Sequence, residues 1–301
     1  MQDRPIAIIT DDPGWHGRQL VNSFSERGYE SRFVRLQDCH FETSSRSADI
    51  HLAGLGTLPL AVFVRGVPGG TLEQVIYYLD ILHGFEAMGI KVINNVRSIE
   101  RSVDKGMTSF LLKSNGIDTP NYIYSSDLHY ISKKLREGID KGKQFVLKPV
   151  FGSQGKGVQK IGCHQDLVDY SERHGVIYMQ EFIDAGYRVG VDYRVFVVGD
   201  EVVSCMKRTG EDWITNVAQG GHVEAVELPP AVNQMALEAV RILNLEYAGV
   251  DLIKDSSGRF WVTEVNSVPA WKGLQSTTDS RIVDAIASDF LKRCGLPVNN
   301  Q

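Results

Sequence analysis

The 301-residue chain predicts an α/β fold that passes into α+β lobes, and three observations carry that prediction. Over the first third, short apolar runs alternate with helix-period segments, as in a parallel sheet covered on both faces. From about residue 144 the pattern changes to paired strand signals around tight turns, the mark of antiparallel hairpins. The length suits one large core or two to three smaller lobes. The expected divisions are an open α/β domain over residues 1–97, a central lobe over 98–178 with a glycine-rich loop, and a C-terminal lobe over 179–301.

Ile6 to Thr10 reads as a buried strand, closed by the breaker cluster Asp11-Asp12-Pro13-Gly14. A helix to about Arg27, a turn at Gly28 and a strand from Ser31 to Leu36 follow. Ala61 to Arg65 is a strand before Gly66-Val67-Pro68-Gly69-Gly70, and a helix from about Thr71 to Met88 leads through Gly89 to a strand at Lys91 to Asn94. The second region opens with a helix from about Asp104 to Ser114, stopped by Asn115-Gly116 and Pro120, and a charged, exposed helix spans Leu128 to Glu137. Gln144 to Pro149 and Gly157 to Ile161 form a hairpin around a glycine-rich turn. Asp192 to Val198 and Glu201 to Arg208 pair about the two-residue turn Gly199-Asp200. Pro229 to Leu243 is a helix with proline near its first turn. Glu246 to Lys254 and Arg259 to Asn266 make another hairpin, and a last helix runs from about Ser280 to Arg293.

The bulk composition excludes several classes. A formal charge of -5 argues against a nucleic-acid binder, which usually carries a basic excess. Cys39, Cys163, Cys205 and Cys294 form no C-x-x-C pair and read as reduced thiols of a cytosolic protein. The polar N-terminus lacks a signal-peptide layout, and no uncharged apolar run approaches the roughly 20 residues of a membrane span. The expectation is a cytoplasmic protein with no membrane and no nucleic-acid partner.

Three local features can carry chemistry. In Val146-Leu147-Lys148-Pro149-Val150-Phe151-Gly152-Ser153-Gln154-Gly155-Lys156-Gly157-Val158, the glycines let backbone N–H groups approach an anion closely. Lys148 ends the strand feeding the loop, where an ammonium can meet a phosphate. The alternative is a glycine-rich hairpin with a solvated lysine; it is neither a P-loop nor a Rossmann fingerprint, because no helix starts there. The second feature is the hairpin with Asp251, Glu264 and Asn266. A turn at Asp255 to Gly258 would set Lys254 opposite Arg259 and Asp251 opposite Val262, so that the three oxygen-bearing side chains share one face with Val262. Hard oxygen donors without histidine or cysteine favour magnesium or manganese; the alternative is an exposed polar face. Val250, Ile253, Trp261 and Val265 mark the opposite face as core. The third is Asp192 and Arg194 on one strand face, Lys207-Arg208 on the partner strand, and then Asn216. Arginines there can clamp a phosphoryl group, although charges on a hairpin are commonly a solvated face.

Taken in order, these features resemble the ATP-grasp superfamily and, within it, the RimK-like ligases. The resemblance covers about residues 98 to 293. It runs through Asp104-Lys105, Gly116 to Pro120, Lys148-Pro149 with Gly152 to Gly157, and Gln180-Glu181-Phe182-Ile183. It continues through Asp192-Tyr193-Arg194, Gly220-Gly221, Ala248-Gly249-Val250-Asp251 and Glu264-Val265-Asn266. It implies an ATP-grasp fold behind an N-terminal open α/β domain, and a ligase that uses ATP to join a carboxylate to an amine. Lys105 and Lys148 would contact the nucleotide phosphates, and Gln180 to Ile183 would hold adenine with backbone groups of Glu181 and Ile183. Gly152, Ser153, Gln154, Gly155, Gly157, Asp192, Lys207 and Asn216 would complete the ATP site. Arg194 and Arg208, with Lys148, would serve the γ-phosphate and the acyl phosphate, while Asp251, Glu264 and Asn266 would hold two magnesium (or manganese) ions. Gln219 departs from the arginine many RimK-like chains carry before the glycine pair. Arg65-Gly66-Val67-Pro68-Gly69-Gly70 would face the acceptor. The stretch Asp212 to Asn216 is similar to ligases that add L-glutamate to carriers such as tetrahydromethanopterin. Rival expectations are a protein acceptor (a ribosomal-protein tail or the amino-group carrier protein of lysine or arginine biosynthesis) and a nucleotide-binding regulator without turnover. A homo-oligomer is the family expectation.

Overall fold

The structure, a computed structural model, describes residues 4–45, 47–152, 155–186, 189–210, 213 and 221–299. Strand β1 (Ile6–Ile9) leads to helix α1 (Gly14–Glu26) and strand β2 (Ser31–Val34). A hairpin of β3 (Cys39–Thr43) and β4 (Ala48–Leu52) precedes β5 (Val62–Val64), α2 (Leu72–Ala87), β6 (Val92–Ile93) and α3 (Val96–Val103). The sheet β2-β1-β5-β6 is wholly parallel, as the alternation predicts. All four residues of β1 are buried because the sheet is covered twice. Ile6 and Ile8 pack with Phe24, Phe63 and Phe290, while Ala7 and Ile9 pack with Ile81 and Phe85 of α2. The first of these layers draws on the far end of the chain.

The second sheet is antiparallel. Helix α4 (Lys105–Ser114) leads to β7 (Tyr122–Ser125), α5 (Leu128–Ile139), β8 (Phe145–Leu147), β9 (Gln159–Ile161), α6 (His164–His174) and β10 (Ile177–Glu181). Its order is β7-β10-β8-β9, with Ile131, Leu135, Leu167 and Tyr170 of the two helices filling one side. The third sheet, β13-β12-β11-β14-β15, is built from β11 (Val191–Val198), β12 (Glu201–Thr209), β13 (His222–Ala225), β14 (Tyr247–Lys254) and β15 (Phe260–Asn266). Helix α7 (Pro230–Ile242) buries Val232, Ala236 and Val240 against Val195, Val197 and Val250. On the other face Phe196 and Val198 meet Trp271, a short helix α8 (Lys272–Gln275) and α9 (Ile282–Arg293).

Several expectations change. The positions 97 and 178 fall inside α3 and β10, and the glycine that punctuates the chain near the second is Gly175, which ends α6. The last helix, α9, packs on α1 and the parallel sheet although it lies in the 179–301 segment. Strand β2 stops at Val34, and the β3–β4 hairpin, α3, β7 and α6 are additional to the elements the sequence pattern predicts. Helix α6 buries only Leu167 and Tyr170, which leaves almost no apolar period to read.

The largest correction is the register of β14 and β15. Lys254 lies opposite Phe260, Leu252 opposite Val262, and Asp251 opposite Glu264 rather than Val262. Val262 and Val265 are three apart yet both are fully buried under α7. A strict two-residue alternation cannot serve both, so Thr263 is the extra residue of a bulge that shifts the phase. Its hydroxyl donates to the Asp251 carbonyl at 3.2 Å. Asp251, Glu264 and Asn266 still share a face, but Val262 has left it for the core. Ile253, expected in the core, lines the cleft.

Asn94, fully buried at the end of β6, ties the parallel sheet to the third sheet. Its amide donates to Tyr247 O at 2.9 Å and Ser267 O at 2.6 Å, and its oxygen accepts from Glu246 N at 2.7 Å and Tyr247 N at 3.0 Å. Replacing Asn94 by leucine strands four buried backbone groups, so denaturant unfolding should show a loss of about 2–4 kcal/mol. A loss below about 1 kcal/mol would mean that these bonds do not hold the sheets together.

Candidate active site

A cleft of about 680 Å3 opens where the second and third sheets and the carboxyl end of the parallel sheet meet. Its walls bring together Lys105, Lys148, Gly152, Gly155, Gln180, Glu181, Phe182, Ile183, Asp192, Arg194, Arg208, Asp251, Glu264 and Asn266. Fourteen residues thus face one space, and once Arg65, Lys156 and Lys272 of the same lining are added, seven basic side chains stand against the four acidic ones.

The anion-binding end follows from local structure. Asp104 caps α4, its carboxylate accepting from Met107 N at 3.0 Å, which places Lys105 in the first turn. The Lys105 ammonium donates to Gly152 O at 2.7 Å and lies 3.9 Å from Glu264 Oε1, so it crosses from helix to loop. Strand β8 ends at Leu147 and leaves Lys148 at its exit, beside the same carboxylate. Gly157 has φ +75 and a Cβ there would sit 2.8 Å from Pro149 Cγ, so a side chain would force the hairpin open.

The other end is a flat slot. Val146 and Val158 line it from the loop hairpin, Ile253 from β14, and Phe182 and Trp213 close it with ring centroids 5.8 Å apart. Lys160 lies 3.9 Å from the Phe182 ring centroid and pins it. The N–H groups of Glu181 and Phe182 are engaged by Asn121 O and Gln144 O, both at 2.8 Å. The Ile183 N–H has no such backbone partner among the described residues, so it is the group able to donate to the edge of a planar heterocycle.

Between the two ends lies a buried charge network. Arg194 donates to both oxygens of Asp251, each at 2.7 Å. Arg208 pairs with Asp192, with Nη2 to Oδ2 at 2.7 Å, and also reaches Asp251 at 3.1 Å. Burial alone would raise the Asp251 pKa, but Arg194 and Arg208 outweigh it and hold the carboxyl down at about 2. Burial likewise works against the Arg208 charge, and Asp251 and Asp192 override it and raise its pKa. Gly249 is required by this packing: a Cβ would stand 3.0 Å from Pro269 Cβ and 3.4 Å from Arg194 Nε.

Asp251, Glu264 and Asn266 fit a hard divalent cation. They stand on one face of adjacent strands, Asp251 paired with Glu264, and no histidine or cysteine lines the described cleft. Asn266 Nδ2 lies 3.4 Å from Asp251 Oδ2, which leaves the amide oxygen for an ion. Asp251 is fully engaged by the arginines, so coordination by it requires one guanidinium to turn toward an incoming anion.

Some expected site residues fall elsewhere. Lys207 pairs with Glu224 at 2.7 Å across β12 and β13 and does not line the cleft, because it alternates with Arg208 along the strand. Gly157 shapes the loop from outside the lining. Ser153, Gln154, Asn216, Gln219 and Gly220 lie outside the described residues. Trp213, Ile253 and Lys272 line the cleft without having been singled out as site residues. For Lys272, six residues beyond Asn266, only the tertiary turn after β15 gives a signal.

Comparison with known proteins gives the family and the fold. Residues 102–289 match the RimK-like ATP-grasp domain. The tetrahydromethanopterin:alpha-L-glutamate ligase of Methanococcus maripaludis is 35% identical over 95% of this chain and 97% of its own. A probable alpha-L-glutamate ligase of Parasynechococcus marenigrum is 32% identical over 96% of this chain, which spans 62% of that longer protein. Among solved structures, the ATP-grasp ligase PsnB complexed with a minimal precursor superposes with a TM-score of 0.74 at 20% identity, over 97% of this chain and 99% of that one. Among the described residues no helix is long and apolar enough to cross a membrane.

Lys148 generates a pH prediction. Burial is the main cause that lowers its pKa to about 8, with Lys105 adding to the effect and Glu264 and Asp251 opposing it. Since the charged ammonium is the form that binds phosphate, ATP affinity should fall by up to about tenfold per unit as pH rises above that value. The Lys148→Arg variant, charged throughout, should bind with no such decline. Parallel pH profiles for the two proteins would remove Lys148 from the phosphate site.

Proposed function

The chain belongs to the RimK-like ATP-grasp ligases, and from that membership we propose that it joins the amine of L-glutamate to a carboxylate on a small pterin-type cofactor, such as a tetrahydromethanopterin. The observation that carries the substrate assignment is the 35% identity, along nearly the whole of both chains, to a ligase of that name. The cleft supports the chemistry. Gln180 to Ile183, Phe182 and Trp213 receive the adenine; Lys105, Lys148 and the loop at Gly152 to Gly157 receive the phosphates.

The substrate carboxylate oxygen attacks the γ-phosphorus of ATP, the bond to the β-phosphate oxygen breaks, and ADP leaves. The amine nitrogen then attacks the acyl carbon, the carbon–oxygen bond to phosphate breaks, and an amide, phosphate and a proton result. Lys148 and Lys105 offset charge on the transferring group, and Arg194 and Arg208 hold the acyl phosphate for the second step. Asp251, Glu264 and Asn266 would hold two magnesium or manganese ions, which neutralise the phosphate oxygens when bound. The protein supplies placement and a preorganised field rather than covalent chemistry. The three lobes divide these roles, the first facing the acceptor and the other two enclosing the nucleotide.

A peptide or protein acceptor is the second reading, favoured by the fold likeness to PsnB with its precursor. Product mass separates the two. With magnesium-ATP, ADP release should require L-glutamate together with the pterin-type acceptor, and the product should be heavier by one glutamyl unit. Release with a different pair would keep the ligase and discard this acceptor; tight ATP binding without turnover on any pair would leave a regulator. Glu264→Gln should cut ADP release at least about 100-fold, since it removes a charged metal ligand beside the reacting phosphate. Near-normal release in a folded Glu264→Gln protein would sink the metal assignment.

A further inference from the structure

Arg65 stands at the carboxyl end of β5, where the N–H groups of Arg65 and Gly66 both donate to Ile9 O, at 2.9 and 3.1 Å. From there its side chain lines the cleft, as does Lys272. The guanidinium lies 5.4 Å from the Trp271 ring centroid, and Nη1 makes only a long contact, 3.4 Å, to Val268 O. Its Nε is buried without a hydrogen-bond partner, and so is the indole Nε1 of Trp271. Among the described residues no carboxylate forms an ion pair with either Arg65 or Lys272. Burial lowers the pKa of Arg65, and Tyr247 and the Asp12 carboxylate oppose it only in part.

The surroundings are fixed, and the Asp12 carboxylate acts on Arg65 through space but makes no ion pair with it among the described residues. His16 Nε2 accepts from the N–H groups of Trp271 and Lys272, at 3.1 and 3.2 Å, which holds that turn against α1. Burial, then Arg65 and Lys272, push His16 down to about 4, so at neutral pH it is an uncharged acceptor that completes the turn. A half-buried guanidinium whose Nη1 makes only a long hydrogen bond has donor capacity left for a ligand. A flat fork in the same cleft as an ammonium suits a planar, bidentate anion.

We propose that Arg65, seated on the buried Trp271 indole, forms with Lys272 a subsite that binds a non-reacting carboxylate of one of the two organic substrates. The proposal rests on the ligase reading and deepens it. Val268 is two residues beyond Asn266, so a carboxylate held there orients its molecule toward the metal and phosphate end of the cleft. The donor is either L-glutamate, which keeps two carboxylates when its amine reacts, or the acceptor, if it carries more than one.

The test uses the full-length enzyme and the variants Arg65→Gln, Arg65→Lys and Lys272→Gln. ATP affinity, KM for L-glutamate and KM for the acceptor are measured, with calorimetric binding of L-glutamate and of the acceptor in magnesium-ADP as a readout independent of turnover. Arg65→Gln should raise one of the two KM values at least about 100-fold and weaken the matching binding, with ATP affinity within about threefold of the parent. Arg65→Lys should recover part of that loss, and the exposed Lys272→Gln, which carries little folding risk, should weaken the same substrate by about threefold to tenfold. The KM that rises identifies the carboxylate's owner. Equal binding of both substrates by parent and Arg65→Gln, or no binding of either by the parent, would overturn the subsite. Absence of ADP release by the parent enzyme is a separate result and counts against the ligase reading instead.

Discussion

Two carboxylates and two guanidinium groups, Asp192, Arg208, Asp251 and Arg194, are buried together on the face of the third sheet, and the site is organised around keeping them paired. None of the four can be left alone in that position at low cost, because an uncompensated buried charge costs several kcal/mol. The network is neutral as it stands, yet Asp251 is shared by both arginines. An arriving triphosphate offers the arginines a second anion, and an arriving cation offers Asp251 a second partner. In the proposed mechanism, exchange among these pairs preserves charge balance, so that a structural ion network would serve phosphoryl transfer without exposing a bare charge.

The rest of the architecture positions groups around that network. The second sheet contributes the hairpin whose glycines bring backbone close to Lys105 and whose exit holds Lys148. The chain leaving β10 contributes Ile183 and Phe182 at the slot. The parallel sheet contributes its carboxyl end, where crevices of open α/β sheets commonly bind ligands. Asn94 and the packing of α9 on α1 fix that end against the third sheet, so Arg65 and Trp271, from opposite ends of the chain, are neighbours.

Much of this was legible in the sequence, for stated reasons. The spacing of Glu264 and Asn266 requires one strand face, the Gly199-Asp200 turn fixes its hairpin, and the alternation before residue 97 implies a parallel sheet. The register of the last hairpin was not legible, because the bulge at Thr263 exists to bury both Val262 and Val265 under α7, a tertiary demand. Lys207 stands outside the cleft because its neighbour Arg208 occupies the cleft face, and alternation along the strand argues against both pointing inward. The β3–β4 hairpin and α6 carry too few buried residues to mark themselves. The completeness of the Arg65 site depends on the turn at Trp271 and Lys272, which no local pattern announces.

In the proposed reaction the substrate carboxylate itself takes the phosphoryl group in this cleft before the amine arrives. Isotope transfer decides whether it does. The acceptor is prepared with 18O in its reacting carboxylate and turned over with magnesium-ATP and L-glutamate, and the released phosphate is examined by mass spectrometry. An acyl-phosphate route delivers one 18O atom to each phosphate and none to the nucleotide. Phosphate without label, or label recovered in AMP, would contradict the account.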